Sequence, residues 1–493
     1  MKQIIFALAS LLCVSSIFSS CADAADTPAV TQSTDTEAVT ETAEAVTTSH
    51  EDTVRSQIGQ QDFGGYTFRV VSRDPGGDFY NFAGTDANEI YFEAETGDIL
   101  NDAIFLRNRK TEELLNIKIE PVWVGTGRGH VLQTTESNIL AGDDFADAIV
   151  HSLDFAMNSA AKGMLYNFYD IPTVQLDNPW WDQTIISNFT MFGDHLYALC
   201  GDIVFFDDYA VQAIIGNTRL MAQYDIEVPY QSVRDGTWTF DQFAEMAKLG
   251  FADLNGDGKI DRETDQIGYG NHEGAVMHFV YCFDQRLSTT QDDGTIVVNS
   301  GNEKIINAID TVVNFLAECD GAIGGDNPTM FHNGQTMFFM EMIGGITALR
   351  DMEDDYCVLP MPKGDEAMEG YKAYVSNGWT TCYTVPTTAP EVARIGTVLE
   401  TMSAISADTV TPALYDVMLQ EKYVRDPKSQ EMLTYIWASK SYDLAGDLDW
   451  ASDLRNIYYD IAAKANNNFV SSIEKKIKMI NKKLENFMNA FTE

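Results

Sequence analysis

Basic residues are scarce in this chain of 493 residues. It has 32 Lys and Arg against 74 Asp and Glu, which gives a formal net charge of −42 at neutral pH. Nucleic acids and anionic lipid surfaces attract proteins through clustered positive charge. The composition therefore argues against a nucleic-acid partner and against a protein that lies flat on a membrane. An acidic surface keeps a protein soluble and is compatible with an uncharged ligand.

Sequence motifs of several enzyme classes are also absent. The chain contains no HExxH, no GxSxG, no phosphate-binding loop and no GxGxxG after a strand, and its seven His are scattered singly. We therefore expect no enzyme activity and no cofactor for catalysis. A surface glycan-active enzyme is the open alternative, because the carboxylic acid pair of a glycosidase leaves no motif in a chain so rich in Asp and Glu.

Cysteine is sparse and irregularly spaced. Two of the seven, Cys13 and Cys21, lie near the amino terminus, and no CxxC occurs. The sequence thus predicts neither a disulfide framework nor a structural zinc site of that kind. We expect the other five to be mostly buried thiols, with a single disulfide bridge as an alternative: Cys200, Cys282, Cys319, Cys357 and Cys382.

The amino-terminal residues predict export. Lys2 precedes an apolar run over residues 4–14 that is too short to span a membrane. Residues 18–21, Phe-Ser-Ser-Cys, resemble a lipobox, in which the Cys, here Cys21, receives a diacylglyceryl group. We predict a lipoprotein signal peptide over residues 1–20, with an ordinary secretory signal as the alternative. Residues 21–62 are rich in Thr, Ala and Glu and predict a disordered tether.

The rest of the chain alternates between strand and helix patterns, and its length predicts two domains. Alternating apolar residues such as Tyr66 and Phe68 indicate a strand, and apolar residues at helical spacing follow. This alternation is typical of a parallel, doubly wound sheet. The predicted elements are a strand within 63–72, a helix over 101–116, strands over 117–124, 146–150 and 209–215, and a helix over 239–249 with Thr239 as its N-cap.

A long amphipathic helix is predicted at the carboxyl terminus. Its apolar residues recur every three or four positions, opposite a row of Lys. We expect this stripe to dock on its own domain, and a partner-binding coiled coil is the alternative. The apolar positions are Ile473, Ile477, Ile480, Leu484, Phe487 and Phe491.

Four segments carry a family resemblance. Residues 236–243 (Gly-Thr-Trp-Thr-Phe-Asp-Gln-Phe), 331–338 (Phe-His-Asn-Gly-Gln-Thr-Met-Phe), 358–362 (Val-Leu-Pro-Met-Pro) and 178–182 (Asn-Pro-Trp-Trp-Asp) are similar in order and spacing to segments of one family. From about Phe63 to its end, the chain resembles extracellular solute-binding proteins of the sugar-binding class that serve ABC transporters. Trp180 and Trp181 are candidates for the cleft rim or for a structural role, and we favour the structural role for one of them.

The resemblance implies an α/β, two-lobed periplasmic-binding-protein-like fold of type II. One lobe would comprise residues 63–193 and 373–408, and the other 194–372 and 409–493. The ligand would lie in the cleft between them, at the carboxyl ends of strands, and closure of the hinge would bury it.

The resemblance implies extracellular capture of a small solute, a sugar or oligosaccharide, and its delivery to an ABC importer by closure of the cleft. An ABC transporter permease would be the partner of a monomer anchored by lipid to the extracellular face of the cytoplasmic membrane. A peptide- or amine-binding protein of the same fold is the alternative within the class, and an adhesin or scaffold is an alternative outside it.

Aromatic and acidic side chains near the ends of strands are the candidate ligand contacts, because rings stack on sugars and carboxylates bind vicinal hydroxyls. The resemblance places His151 and Asp154 in a loop that contacts the ligand, although Asp154 could instead cap a helix. The candidates beside the hinge and in later loops are Asp207, Asp208, Tyr209, Glu341 and Trp379, with a solvated turn as the alternative for the Asp pair and a core position for the Trp.

A further segment resembles the opening of an EF-hand loop. It offers oxygen ligands at alternate positions and a Gly at the sixth, which suits a structural Ca²⁺. The twelfth position is Thr264 in place of the usual Glu, and Asp265 is the expected substitute. The alternative is a solvated turn. The predicted metal site comprises Asp253, Asn255, Asp257, Lys259, Asp261 and Asp265.

Overall fold

A computed structural model describes residues 48–75, 89–258, 264–270, 274–299, 301–318, 328–419 and 426–492. The predicted signal peptide, the lipidation site at Cys21 and most of the predicted tether lie outside the described residues. In the described part, no helix is both long enough and apolar enough to cross a membrane.

The strands are numbered in chain order. They are β1 Tyr66–Ser72, β2 Ile117–Trp123, β3 Ala148–Ser152, β4 Gln212–Asn217, β5 Ile267–Gly270, β6 Ser288–Thr290, β7 Ile296–Val298, β8 Thr336–Met342, β9 Tyr356–Pro360, β10 Ala373–Tyr374, β11 Thr381–Thr384 and β12 Lys440–Ser441.

The α-helices are numbered in the same way. They are α1 His50–Ile58, α2 Ile99–Leu115, α3 Arg128–Ala141, α4 Leu153–Ala160, α5 Gln183–Phe189, α6 Phe206–Tyr209, α7 Thr218–Gln223, α8 Tyr230–Asp235, α9 Phe240–Leu249, α10 Ala275–Cys282, α11 Glu303–Glu318, α12 Pro328–His332, α13 Val392–Asp408, α14 Val410–Leu419, α15 Pro427–Ala438, α16 Ser452–Lys464 and α17 Phe469–Asn489. Short 3₁₀ helices cover Phe168–Asp170, Ile343–Leu349 and Asp449–Ala451.

Two four-stranded sheets organise these elements. The first has the order β11-β3-β1-β2, with β1 parallel to β2 and β3, and β11 antiparallel to β3. The second has the order β5-β8-β4-β9, with β4 antiparallel to both of its neighbours and β5 parallel to β8. The predicted parallel sheet is confirmed for β1 to β3, whereas the second sheet is mixed.

Two described chain segments run between the parts of the chain that form the two sheets. Residues 201–211 lead to the start of β4, and residues 375–380 lead from β10 to the start of β11. The two segments lie side by side, because Val211 and Val375 form an antiparallel bridge. The first contains α6, so the strand predicted from residue 209 in fact begins at Gln212. We call residues 201–211 and 375–380 the connecting segments.

Two local predictions are confirmed, those of the Thr239 cap and of the docked carboxyl-terminal stripe, and the ends of α2 are also well defined. Asp98 caps α2 by accepting hydrogen bonds from two backbone N–H groups, and Asn116 ends this helix in a left-handed conformation with φ 49°. The hydroxyl of Thr239 caps α9 as predicted. The stripe of α17 docks on α16 and on the Asp449–Ala451 turn, and four of its apolar residues are buried.

The predicted tether is wrong at its carboxyl-terminal end. Residues 50–58 form α1, which packs against α13 and buries Val54. Ser49 caps this helix, and His50 Nδ1 lies 2.7 Å from a carboxylate oxygen of Asp408. Although the segment has few apolar residues, one buried Val and these polar contacts dock it.

The predicted boundary between lobes at residue 408 also needs correction. Helix α14 follows that position, yet it packs against α2, which flanks the first sheet. Helix α15 is the next described helix and packs against β9 of the second sheet. The chain therefore returns to the second sheet after Leu419, one helix later than predicted.

Candidate functional site

The carboxyl ends of β1, β2 and β3 meet at one edge of the first sheet, where β11 begins. A small depression lies at this edge. Ligands of open α/β sheets bind outside the carboxyl ends of strands. The lining residues are Ser72, Arg73, Arg128, Val131, Val150, His151, Ser152, Phe155 and Thr381.

Arg128 is held in place at the rim of this depression. It is the first residue of α3, and its Nη2 donates to the carboxylate of Asp154 at 2.8 and 3.0 Å and to Ser152 Oγ at 2.8 Å. The guanidinium carbon lies 4.8 Å from the centre of the Phe155 ring. The side chain remains 34% exposed, so a positioned cation is presented to solvent.

Asp154 lies in the first turn of α4, where its carboxylate pairs with Arg128. Ser152 occupies the N-cap position of this helix, so Asp154 is not the cap. Burial raises the pKa of the Asp154 carboxyl, and the Arg128 charge opposes this shift. The carboxylate therefore positions Arg128 at the edge of the depression, and direct contact of Asp154 with a ligand stays a prediction.

His151 lines the same depression from β3. Its Nε2 lies 3.1 Å from Thr384 Oγ1, across the β3–β11 pair. Burial, together with the nearby Arg128 charge, lowers the pKa of His151 to about 3, so the imidazole is neutral. The structure thus places His151 in β3 and not in the predicted loop, and its contact with a ligand stays a prediction.

Asp207 and Asp208 lie in a buried ion pair. Lys440 Nζ donates to Asp207 Oδ2 at 2.7 Å and to Asp208 Oδ1 at 2.9 Å, and the Tyr442 hydroxyl donates to Asp207 at 2.8 Å. The exposed fractions of the Lys440, Asp207 and Asp208 side chains are 9%, 6% and 13%. This placement does not support the prediction that these carboxylates face a ligand, since their charge is already paired in the interior.

Tyr209, the third residue of that predicted group, also belongs to the core. Its ring packs against those of Phe205 and Phe206, at centroid distances of 5.8 and 6.0 Å, and it is 1% exposed. The predicted hydroxyl-binding cluster is therefore a structural element of the first connecting segment.

Glu341 lies in β8, opposite Ala213 near the start of β4. Its Oε1 accepts a hydrogen bond from the Met342 N–H at 2.7 Å, and burial raises its pKa to about 7. The side chain fills the space over Gly345, where a Cβ would approach the Glu341 Cδ to 2.5 Å. Glu341 therefore lies at the end of the second sheet that is next to the connecting segments.

Trp379 lies in the second connecting segment, next to the site. The backbone of the preceding residue, Gly378, approaches Arg128 so closely that a Cβ there would lie 3.4 Å from the guanidinium. Asp447 Oδ2 holds this turn by accepting from Gly378 N at 3.2 Å and from Ser376 Oγ at 2.7 Å. The Trp379 side chain is half-buried and packs against the core. The close approach that was expected at Gly378 is therefore a contact with the protein's own Arg128.

The two Trp of residues 178–182 are structural. Both are buried, and their indole N–H groups donate to the Glu400 carboxylate at 2.7 and 2.9 Å. Glu400 also accepts from Asn178 and from the backbone N–H of Gln175. The expectation of a structural role therefore holds for both rings, Trp180 and Trp181.

The calcium-like loop is described only in part, since Lys259 and Asp261 lie outside the described residues. Asp253 accepts hydrogen bonds from the backbone N–H groups of Gly256 and Gly258, at 2.6 and 2.7 Å. Asp265 accepts from the Leu254 N–H at 2.8 Å. Among the described residues, no group of three or more His, Cys, Asp or Glu is placed to hold a metal ion.

Sequence reasoning missed Arg128, Arg73 and Phe155. The search favoured acidic and aromatic side chains, whereas two of these residues are basic. A signal was present, because Arg73 follows β1 directly, Arg128 follows β2 after four residues, and Phe155 follows the predicted residue Asp154. Basic residues that follow strands in so acidic a chain would have been useful candidates.

No protein-family model matches this sequence, and no curated protein matches it. Solved structures do resemble it. A cyclo/maltodextrin-binding protein complexed with maltotetraose has a TM-score of 0.55 and 14% identity, over 85% of this chain and 97% of that one. The ABC substrate-binding protein Lmo0181 from Listeria monocytogenes, in complex with cycloalternan, has a TM-score of 0.52 and 13% identity, over 86% and 99%.

UgpB from Mycobacterium tuberculosis, in complex with glycerophosphocholine, has a TM-score of 0.54 and 13% identity, over 87% of this chain and 100% of that one. At such low identity the likeness shows the fold. The chain therefore has a two-lobed, periplasmic-binding-protein-like α/β fold, which agrees with the fold class that the resemblance implied.

Proposed function

We propose that this chain captures a sugar or oligosaccharide outside the cell and delivers it to an ABC importer. The observation that carries the proposal is the fold likeness, which spans almost the full length of neighbours complexed with maltotetraose and with cycloalternan. The depression at the carboxyl edge of the first sheet is the proposed ligand site.

The chemistry of the depression suits hydroxylated ligands. The half-buried ring of Phe155 offers an apolar face, and the guanidinium of Arg128 offers donors that remain partly exposed. Sugars present both an apolar ring face and vicinal hydroxyls, so these two kinds of group can be used together. Glu341 and Trp379 stay predicted contacts for the side of the ligand that faces the connecting segments.

Binding without chemical conversion is part of the proposal. The solved neighbours are described as binding proteins of transporters, and the glycan-active enzyme remains the competing function. Incubation with mono- and oligosaccharides, followed by chromatography of the sugars, separates the two. Turnover of any glycan would overturn the binding function.

A thermal-shift screen tests ligand capture directly. A ligand that binds only the native state raises the melting temperature. The panel should contain monosaccharides, oligosaccharides, peptides and glycerophosphocholine. A shift with saccharides alone supports the proposal, whereas a shift with peptides or amines alone would replace the ligand class.

Arg128→Met locates the site. This change keeps much of the aliphatic side chain but removes the donors, and we expect at least a roughly tenfold weaker affinity for the sugar found in the screen, because hydrogen bonds to charged groups contribute about 1.5–3 kcal/mol. Arg109→Met is the matched control, since Arg109 pairs with Glu112 and Glu113 on an exposed helix face. Equal affinity of both variants would place the ligand elsewhere.

We also propose that the protein acts as a monomer anchored by lipid at Cys21 to the extracellular face of the cytoplasmic membrane. Growth with an alkyne-labelled fatty acid should label the parent protein but not a Cys21→Ser variant. Label in both, or in neither, would contradict the anchor. Size-exclusion chromatography with light scattering tests the monomer.

A structural Ca²⁺ in the loop that begins at Asp253 is proposed separately. The backbone of the loop turns around the Asp253 carboxylate. Gly256 and Gly258 adopt φ of 74° and 81°, as a tight loop requires. Addition of Ca²⁺ to chelator-treated protein should raise the melting temperature, and Asp253→Ala should abolish that response. An unchanged melting temperature of the parent protein would contradict the site.

A further inference from the structure

Two buried cysteines lie opposite each other beside the first sheet. Leu199 and Tyr383 form an antiparallel bridge, in which each backbone N–H donates to the carbonyl of the other at 2.9 Å. In an antiparallel pair, hydrogen-bonded and non-hydrogen-bonded positions alternate. Continued by one residue along both segments, this pairing would place Cys200 opposite Cys382 at a non-hydrogen-bonded position, and the Cys200 thiol does interact with that of Cys382.

This position has the dimensions of a disulfide. Cα atoms of a non-hydrogen-bonded pair lie about 4.5 Å apart, with both side chains on the same face. Disulfides occur at Cα separations of roughly 4.4–6.8 Å. The two residues can thus be bridged by side-chain rotation, without a displacement of the backbone.

Both thiols contact backbone carbonyl groups of nearby residues. Cys200 Sγ donates to the Thr381 carbonyl at 3.3 Å, and Cys382 Sγ donates to the His151 carbonyl at 3.4 Å. Both contacts are weak hydrogen bonds, so forming a bridge would sacrifice little. Burial raises the pKa of the Cys200 thiol well above its usual value, and the neighbouring Cys382 raises it further.

The other described cysteines lack such a partner. Cys357 in β9 stands opposite Gly216, which has no side chain. Cys282 Sγ contacts the carbonyl of His278 within its own helix. The Cys200–Cys382 arrangement is therefore specific within the described residues.

We propose that Cys200 and Cys382 form a disulfide as the exported chain folds in the presence of a disulfide oxidant. The two thiols lose two protons and two electrons, and a bond forms between their sulfur atoms. The disulfide of the oxidant is cleaved, takes up these electrons and protons, and leaves as two thiols. The reaction precedes burial, because exchange requires an accessible thiolate.

The bridge would link the ends of both connecting segments that lie at the first sheet. Cys200 immediately precedes residues 201–211, and Cys382 follows residues 375–380. The cross-link therefore fixes the ends of these segments at the first sheet, while their other ends remain free to move with the second sheet. During the hinge motion proposed for ligand capture, both connecting segments would then bend while the disulfide holds their ends together at the first sheet.

Refolding of the full chain tests the cross-link. The protein is unfolded in guanidinium chloride and refolded either with oxidised and reduced glutathione or with dithiothreitol, and it is then alkylated in denaturant and digested without reduction. We expect the glutathione sample to yield one peptide pair joined through Cys200 and Cys382, which is lost on reduction. Absence of this pair, or a bridge from either residue to another cysteine, would overturn the proposal.

Variants provide the matched comparison. Cys282→Ser removes a buried thiol outside the pair and should still give the linked peptides, whereas Cys200→Ser should not. The oxidised parent should also unfold at a higher urea concentration than the reduced parent, since a cross-link restricts the unfolded chain. The same shift in Cys282→Ser and its loss in Cys200→Ser are expected. An unaltered shift in Cys200→Ser would assign the effect to other cysteines.

Discussion

Lys440→Met tests the buried charge cluster of the first connecting segment. The Nζ of Lys440 lies 2.7 Å from a carboxylate oxygen of Asp207 and 2.9 Å from one of Asp208, and at most 13% of any of the three side chains is exposed. Met preserves much of the aliphatic stem and removes the charge. The two carboxylates then lose the cation that compensates their burial.

The expected cost follows from this burial. Breaking a buried ion pair by removing one partner lowers the free energy of unfolding by about 3–5 kcal/mol, because an uncompensated charge remains inside. Solvent screening reduces this value little, since the cluster is almost closed to water. We therefore expect a loss within this range at pH 7.5.

The loss should shrink as the pH falls. Burial raises the pKa of Asp208 to about 7, and Lys440 opposes that shift, so removal of Lys440 raises the pKa further. A carboxyl whose folded pKa exceeds the unfolded value of about 3.9 gains a proton in the native state first, and stability then rises as the pH falls through the folded pKa. At about 1.4 kcal/mol per pH unit, lowering the pH from 7.5 to 5.5 stabilises the variant by at most about 2.7 kcal/mol. The parent, with its Asp208 pKa of about 7, gains about 1.9 kcal/mol over the same interval, so the loss shrinks by at most about 0.8 kcal/mol.

Urea unfolding followed by Trp fluorescence measures these differences at both pH values. Lys482→Met is the matched control, because Lys482 forms an exposed pair with Glu485, with side chains 64% and 56% exposed. Such a pair contributes less than about 1 kcal/mol. Equal losses in the two variants, or a loss in Lys440→Met that grows at pH 5.5, would refute the reasoning.

Three further predictions concern stability. Glu400→Gln removes the anionic acceptor of two indole N–H groups and should lower the free energy of unfolding by about 2 kcal/mol in urea, and a change below about 0.5 kcal/mol would contradict this role. The neutral His151, with its pKa lowered to about 3, stabilises the protein above pH 6.5, and this contribution is lost as the pH falls towards 3. Between pH 8 and pH 5 the parent should therefore lose about 2 kcal/mol that His151→Gln does not lose, and identical pH slopes of the urea midpoints would exclude this linkage. Gly201→Ala would bring a Cβ to 2.2 Å from the carbonyl oxygen of Trp180 at a φ of 145°, and it should cost at least about 2 kcal/mol in thermal unfolding, whereas Gly129→Ala has open space and should not destabilise.

Patterns that act over a few residues were the most predictable part of the fold. The alternation of strands and helices, the Thr239 cap and the docked stripe of α17 all agree with the structure, because backbone geometry and local burial decide them. Four of the predicted buried thiols are indeed buried and free, and Cys319 lies outside the described residues. The α/β class and the two-lobed fold likewise agree with the solved neighbours.

The candidate site was predictable only where a local segment supplied it. The family resemblance supplied His151 and Asp154 as candidates, and their contact with a ligand stays a prediction. The role of Asp154 was not predictable, since its partner Arg128 comes from another helix. The tether prediction failed at α1, because docking on α13 joins residues more than 350 positions apart.

The sequence alone determined the acidic character of the protein, the periodicity of its elements and the residue types at the end of each strand. Tertiary structure decided which of its many carboxylates are exposed and which are neutralised. Asp207 and Asp208 share a locally plausible ligand motif, yet a Lys 232 residues further along the chain occupies them. Charges interact through space, so their partners are set by how distant segments pack and not by their neighbours in sequence.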